Sequence, residues 1–88
     1  PLQYRLEQNF PNPFNPSTNI IYYLPKASSV SLAVYDIRGS LIRLLVKKQQ
    51  NAGIHTVEFQ AANLPGGVYF YTLATGDKTE TKKMILIK

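Results

Sequence analysis

The sequence predicts an all-β fold, an antiparallel β-sandwich of about seven short strands. Prolines and glycines recur so often along the 88 residues that the apolar runs between them have the length of strands. These runs are rich in Val, Ile, Tyr, Phe and Thr, which suit a pleated, half-buried surface. No room is left for the helices that connect the strands of an α/β protein. We expect residues 1–88 to form one domain, because a chain of this length supports a single core.

Six runs are predicted as strands, and residues 4–8 are a weaker seventh: 18–24, 30–35, 41–47, 54–59, 68–75 and 81–87. Alternation of Val30, Leu32 and Val34 with smaller residues predicts one buried and one exposed face. Residues 68–73 and 84–87 are apolar without alternation, which predicts strands that are central or covered on both faces. Residues 41–50 also fit helical spacing, and we interpret them as a strand.

Two reversals are predicted from turn chemistry. Asp36 can accept hydrogen bonds from the backbone just after it, and Gly39 can adopt a positive φ, so residues 35–40 suit a tight hairpin. Residues 63–67, with Pro65 and two glycines, form the second reversal. Both features therefore favour structural roles over ligand binding.

Composition excludes several classes of protein. Ten Lys and Arg against five Asp and Glu give a net charge of +5, but the basic residues are scattered and form no recognisable nucleic-acid module. No apolar run approaches the roughly 20 residues of a membrane-spanning helix, and the first residues lack the basic segment and apolar core of a signal peptide. Since the chain starts at Pro1, we interpret it as part of a longer protein with its targeting signal upstream. The isolated domain is expected to be a monomer that binds no nucleic acid and has no membrane span.

Little in the sequence predicts catalysis or a cofactor. Cysteine is absent, which excludes disulfides, thiolate nucleophiles and Cys-based metal sites. The single histidine, His55, is in phase with Val57 and Phe59, so it is interpreted as a strand residue at the edge of the core. We expect no enzyme activity, no cofactor and no metal. A calcium site built from loop oxygens stays open, with Asp36 and Asp77 as the first ligands to check.

Tyrosines raise the alternative of a sugar-binding surface. An exposed aromatic platform could come from Tyr4, Tyr22, Tyr23, Tyr35, Tyr69 and Tyr71. Tyrosines in strands more often pack their rings and leave the hydroxyl at the rim, and the chain has no Trp.

Residues 6–18 form the most distinctive segment, which we call the strap. Three prolines stand within six residues, and each fixes its own φ and pushes the preceding residue towards an extended conformation. Phe10 and Phe14 are expected to anchor the segment on the domain. The pattern predicts a rigid strap, with a structural motif formed by Asn9, Pro11, Asn12, Pro13, Phe14, Asn15 and Pro16.

With these motifs the sequence resembles the C-terminal sorting domain of proteins exported by the type IX secretion system of Bacteroidota and related phyla. Six blocks carry the resemblance in order: 6–18, 21–25, 34–36 with Gly39, 52–57, 64–71 and 83–88. The chain departs from the family at Phe59, where Trp is frequent, and at Ser40, where Arg often follows the glycine. Neither departure touches the last block.

The resemblance implies an immunoglobulin-like sandwich that acts as a secretion signal. It implies that an upstream cargo domain reaches the periplasm and crosses the outer membrane to the cell surface or extracellular space. The implied partners are the type IX translocon and a sortase-like peptidase, which commonly removes the domain and attaches the cargo to lipopolysaccharide. Candidate recognition residues that carry over are Gly66, Gly67, Tyr69, Lys82, Lys83, Met84, Ile85, Leu86, Ile87 and Lys88.

A more distant resemblance to the Ig-like domain of flagellar hook-capping proteins gives an alternative. On that interpretation the chain is a structural, adhesion or carbohydrate-binding accessory module of a secreted protein. Its retention in the mature protein would favour this alternative, and its removal would favour sorting.

Overall fold

The computed structural model describes residues 3–76 and 78–88, which form antiparallel β-strands arranged as two packed sheets. The strands are β1 (Arg5–Leu6), β2 (Ser17–Leu24), β3 (Ser28–Asp36), β4 (Leu41–Gln50), β5 (Gly53–Gln60), β6 (Gly67–Thr75) and β7 (Lys78–Leu86). One sheet has the order β1-β2-β5 and the other the order β4-β3-β6-β7. The predicted all-β sandwich is confirmed, and each predicted run overlaps one strand. The run at residues 4–8 shortens to the two residues of β1.

The core lies between the two sheets and follows the predicted alternation. Val30, Leu32 and Val34 are buried, as is Phe59 from the opposite sheet. Ala33 is also buried although it faces outwards, because it is small and lies between Leu44 and Thr72 on the neighbouring strands. The buried side chains form one continuous cluster.

Residues 41–50 form strand β4, and its pairing explains their helix-like spacing. The register of β4 against β3 shifts twice, so that Ile42 and Leu45 have no opposing residue. Such bulges add one residue to a strand and break the period of two. The same leucines therefore fit both a bulged strand and a helix in sequence.

The prediction for the two uninterrupted apolar runs is correct for one and wrong for the other. Strand β6 is central, between β3 and β7. Strand β7 is the last strand of its sheet, and Met84 and Leu86 are buried while Ile85 between them is exposed. Residues 84–87 therefore have one buried face, and the apolar residues on the other face remain accessible.

The hairpin between β3 and β4 has the predicted chemistry. One carboxylate oxygen of Asp36 accepts hydrogen bonds from the amides of Arg38 and Ser40 at 2.9 and 3.0 Å. Gly39 has a φ of 88°, in the left-handed region that favours glycine. Asp36 is thus occupied as a turn former.

Candidate functional site

The C-terminal block, residues 83–88 with the preceding Lys82, presents alternate side chains to the core and to solvent. Met84 and Leu86 are almost completely buried between the sheets, whereas Ile85 and Ile87 are 36% and 53% exposed. A partner that docks on the folded domain can therefore contact Ile85 and Ile87 but not the two core residues.

The three lysines of the block do not form one cluster. Lys83 is exposed on the outer face of the sheet, together with Ile85. Lys82 is half-buried on the opposite face of β7. Lys88 is exposed and its ammonium donates a hydrogen bond to the carbonyl of Ala62 at 2.7 Å, which holds it against the loop after β5.

The predicted reversal at residues 63–67 lies directly beside this block. Gly67 opposes Leu86, and a Cβ on Gly66 would lie 3.1 Å from Cγ of Lys88 and 3.3 Å from the carbonyl oxygen of Leu86. Both distances are shorter than an ordinary van der Waals contact, so a side chain at this position would require the neighbouring atoms to shift by a few tenths of an ångström. The structure therefore brings Gly66 and Gly67 together with the C-terminal block.

Tyr69 belongs to the same end of the sandwich but is nearly inaccessible. It is 5% exposed, and its hydroxyl donates a hydrogen bond to the carbonyl of Pro65 at 2.6 Å. Burial raises the pKa of Tyr69, and the carboxylate of Asp36 raises it further. Its geometry is that of a residue that braces the turn.

The strap pairs with the outer edge of β7, the edge that faces away from β6. The sequence analysis did not predict this contact. The amide of Phe14 donates to the carbonyl of Ile85, and the amide of Ile87 donates to the carbonyl of Phe14, both at 2.9 Å. The side chain of Asn12 accepts the amide of Ile85 at 2.9 Å, and that of Gln8 donates to the carbonyl of Lys83 at 2.7 Å. These bonds cover the backbone edge of the C-terminal block, which would otherwise be open to another strand.

The two phenylalanines of the strap have different roles. Phe14 is 1% exposed, and its ring centroid lies 6.1 Å from that of Phe59 in the core. The prediction that Phe10 also anchors the strap by its ring is wrong, because this side chain is 77% exposed. Phe10 is held instead by two backbone hydrogen bonds with Asn19.

Asn9 is the buried polar centre of the strap. Its side-chain amide donates to the carbonyl of Pro11 and to the hydroxyl of Thr18, and its oxygen accepts a hydrogen bond from Gln8. Each of these polar groups would be costly to bury without a partner.

The remaining residues of the predicted motif have fewer contacts. The carbonyl of Pro16 accepts the amide of Ala61 at 2.8 Å, while Pro13 and Asn15 are exposed.

Tyr71 connects the strap to the central strand β6. Its buried hydroxyl donates to the carbonyl of Glu7 and accepts the amide of Asn9, both at 2.7 Å. Burial raises the pKa of Tyr71 to about 12; the hydrogen bond from Asn9 opposes the rise, and the nearby Glu80 and Glu7 carboxylates add to it. No local pattern in the sequence distinguishes this tyrosine, because its partners lie more than 60 residues away.

The residues considered for catalysis have structural contacts. His55 is half-buried, as predicted; its ring stacks on that of Tyr22 with centroids 5.4 Å apart, and its Nε2 lies 2.8 Å from the carbonyl oxygen of Asn51. Within residues 3–76 and 78–88 no three His, Asp or Glu side chains come together as a metal site would require. Asp77, named as a candidate calcium ligand, lies outside the described residues.

Chelation should leave the stability of the domain unchanged. We expect thermal melts with and without excess EDTA to agree within about 1 °C, because folding energy comes from packing and hydrogen bonds. A loss of several degrees would reveal a loop metal site and would contradict this expectation.

The aromatic side chains do not form a broad exposed platform. Tyr22, Tyr69 and Tyr71 are buried, and Tyr4, Tyr23 and Tyr35 are half-buried. Among the described residues, Phe10 is the one aromatic side chain that is mostly exposed. This arrangement agrees with the packing role expected for tyrosines in strands.

No helix among the described residues is long and apolar enough to span a membrane. Two comparisons with known proteins bear on identity. No curated protein matches the chain. The family model described as the secretion system C-terminal sorting domain matches residues 8–88, from within the strap to the last residue of the C-terminal block. The chain therefore belongs to the family of type IX secretion C-terminal sorting domains.

Proposed function

We propose that this domain is a non-catalytic signal that takes an upstream cargo domain through the type IX translocon across the outer membrane. The match over residues 8–88 carries this proposal, because the family consists of type IX sorting signals for export towards the cell surface or extracellular space. The contacts between strap and C-terminal block support it, since they join the two most distinctive segments of the sequence into one structure. A sortase-like peptidase then removes the domain from the cargo.

The test is export of a reporter protein that carries a Sec signal and ends in these 88 residues. In cells with a type IX system we expect the reporter at the surface or in the medium, and in the periplasm when the domain is omitted. The mass of the exported reporter gives the second result. Loss of the domain supports removal by a peptidase, whereas retention favours the spacer or adhesion module.

Charge reversal of the C-terminal lysines should block export while the domain stays folded. We expect the variant with Lys82, Lys83 and Lys88 all replaced by Glu to accumulate in the periplasm, because a partner that contacts the block meets reversed charge. Exposed substitutions usually change stability by about 0.5 kcal/mol or less. Half-buried Lys82 and the bond from Lys88 to Ala62 add a modest cost, which a melting curve measures.

The matched control places the same charge change at the other end of the sandwich. Lys26, Lys48 and Lys78 are exposed there, in the turn before β3, near the end of β4 and at the start of β7. We expect their triple Glu variant to be exported like the parent. Export of both variants at the level of the parent would show that the terminal charges are not recognised. Attention would then move to the turn at Gly66 and Gly67.

A further inference from the structure

The outer face of the β4-β3-β6-β7 sheet carries an apolar surface next to the C-terminal block. Strand register places Leu41, Tyr35, Phe70 and Lys83 in one row across the four strands, with Val68 opposite Ile85 beside it. Opposing residues of antiparallel strands share a face. We call Tyr35, Leu41, Val68, Phe70 and Ile85 the apolar face.

Solvent reaches this surface in the isolated domain. Leu41 is 58% exposed and Ile85 is 36% exposed, while Tyr35, Val68 and Phe70 are half-buried. The next row, Leu44, Ala33, Thr72 and Thr81, adds one exposed apolar side chain, Leu44 at 47%, on the side of Leu41. The row after that, Lys47, Ser31, Ala74 and Thr79, has no large apolar residue and ends the apolar surface. A contiguous exposed patch of this kind is typical of a binding surface.

Charge on this face has one sign among the described residues. Lys83 ends the apolar row and Lys47 lies further along the sheet. The described acidic residues have other positions: Glu7 pairs with Arg5, Asp36 accepts hairpin amides, Glu80 accepts the amide of Leu6, and Glu58 lies on β5 of the other sheet. An apolar surface with lysines and without carboxylates is complementary to an apolar surface bordered by acidic groups.

The position of the N-terminal segment argues against the idea that the cargo domain covers the apolar face. Strand β1 belongs to the other sheet, where Arg5 opposes Tyr23. Gln3 and Tyr4 lie near Pro25 and Lys78, at the end of the molecule where β7 begins. An upstream chain therefore joins the domain at the end opposite the apolar face. The longest dimension of the molecule is 37 Å.

We propose that the apolar face, with Lys83 at its border, docks on a protein of the secretion machinery that presents apolar side chains surrounded by carboxylates. This inference rests on the proposed sorting function and assigns it a surface. It extends the recognised region from the C-terminal block across β6 and β3 to Leu41. The machinery then recognises the folded sheet as well as the end of the chain.

The test replaces two exposed residues of the apolar face and a matched pair on the other sheet. The variant Leu41→Thr/Ile85→Thr removes apolar contacts and keeps strand-forming side chains. Its control, Ile21→Thr/Ile54→Thr, has similar exposure, 37% and 74%, on β2 and β5. In the reporter assay we expect export of the first variant to fall about tenfold or more, as loss of a central apolar contact predicts, and export of the control to match the parent. Both variants should melt within a few degrees of each other.

Charge at the border gives a second readout. Lys83→Glu should reduce export, whereas Lys83→Arg should retain it, because the proposed partner is acidic. Equal export of these two variants would overturn the proposal that the partner surface is acidic. Parent-like export of Leu41→Thr/Ile85→Thr would overturn the docking surface.

Failure of the sorting function has a different result from failure of the docking surface. If the parent domain does not export the reporter at all, the proposed function itself is wrong. Sedimentation of the isolated chain tests a second copy as the occupant. A parent dimer that becomes a monomer in Leu41→Thr/Ile85→Thr would assign the face to self-association and overturn the proposal.

Discussion

Replacing Phe14 by alanine should remove about 3 to 5 kcal/mol from the free energy of unfolding, the usual cost of truncating a buried phenylalanine. Phe14 is 1% exposed and packs near Phe59, while its backbone pairs with β7. A domain of this size is stable by about 5 to 10 kcal/mol, so the variant should be close to unfolding. Urea denaturation measures the loss.

Phe10→Ala is the matched control, since it makes the same change in the same strap. Phe10 is 77% exposed and its two hydrogen bonds to Asn19 come from the backbone. We expect its unfolding free energy to stay within about 0.5 kcal/mol of the parent. A loss below about 1 kcal/mol for Phe14→Ala would show that the ring is not the anchor and that backbone pairing alone holds the strap.

Raising the pH from 10 towards 12 should destabilise the domain through Tyr71. In the unfolded chain tyrosine has a pKa of 10.0, and in the folded protein burial raises the pKa of Tyr71 to about 12. Between these values the unfolded chain releases a proton that the folded protein retains, so stability falls as pH rises. The contribution is complete below pH 10, and roughly 2 to 3 kcal/mol is lost by pH 12.

Tyr71→Phe separates this titration from the rest of the protein. At neutral pH the variant should lose about 1 to 3 kcal/mol, because the buried amide of Asn9 loses its acceptor. Its decline above pH 10 should be shallower than that of the parent, though not absent, since Tyr22 and Tyr69 also have raised pKa values. Tyr23→Phe, at a half-buried residue on β2, is the control at neutral pH, where it should keep the stability of the parent. Identical curves for parent and Tyr71→Phe would exclude Tyr71 as the source.

Phe14 and Tyr71 both hold the strap, near the start of the sequence, against the strands near its end. Tyr71 holds the strap at Asn9 and Phe14 holds it at Ile85, so the strap covers the edge of the strand that carries the C-terminal block. A domain that loses the strap exposes that edge and its unpaired backbone groups. Stability of the strap and accessibility of the C-terminal block are therefore coupled.

The sequence by itself determined the elements of this fold. Alternation at Val30, Leu32 and Val34 predicted a buried face, and Asp36 with Gly39 predicted the hairpin, because the side-chain period and turn chemistry are local properties. The order of the motifs predicted the family and the importance of the strap and the last block. Local signals of this kind need no knowledge of which strands are neighbours.

Only the tertiary structure decided how those elements meet. The apolar run at residues 84–87 is equally compatible with a central strand and with an edge strand. The strand order of the sheet places β7 at the edge. Likewise, Phe10 and Phe14 are indistinguishable in sequence, yet one ring is exposed and the other lies in the core beside Phe59. The hydroxyl of Tyr71 finds its partners more than 60 residues away. Such contacts depend on which distant segments the closed sandwich brings together, and no local pattern encodes that choice.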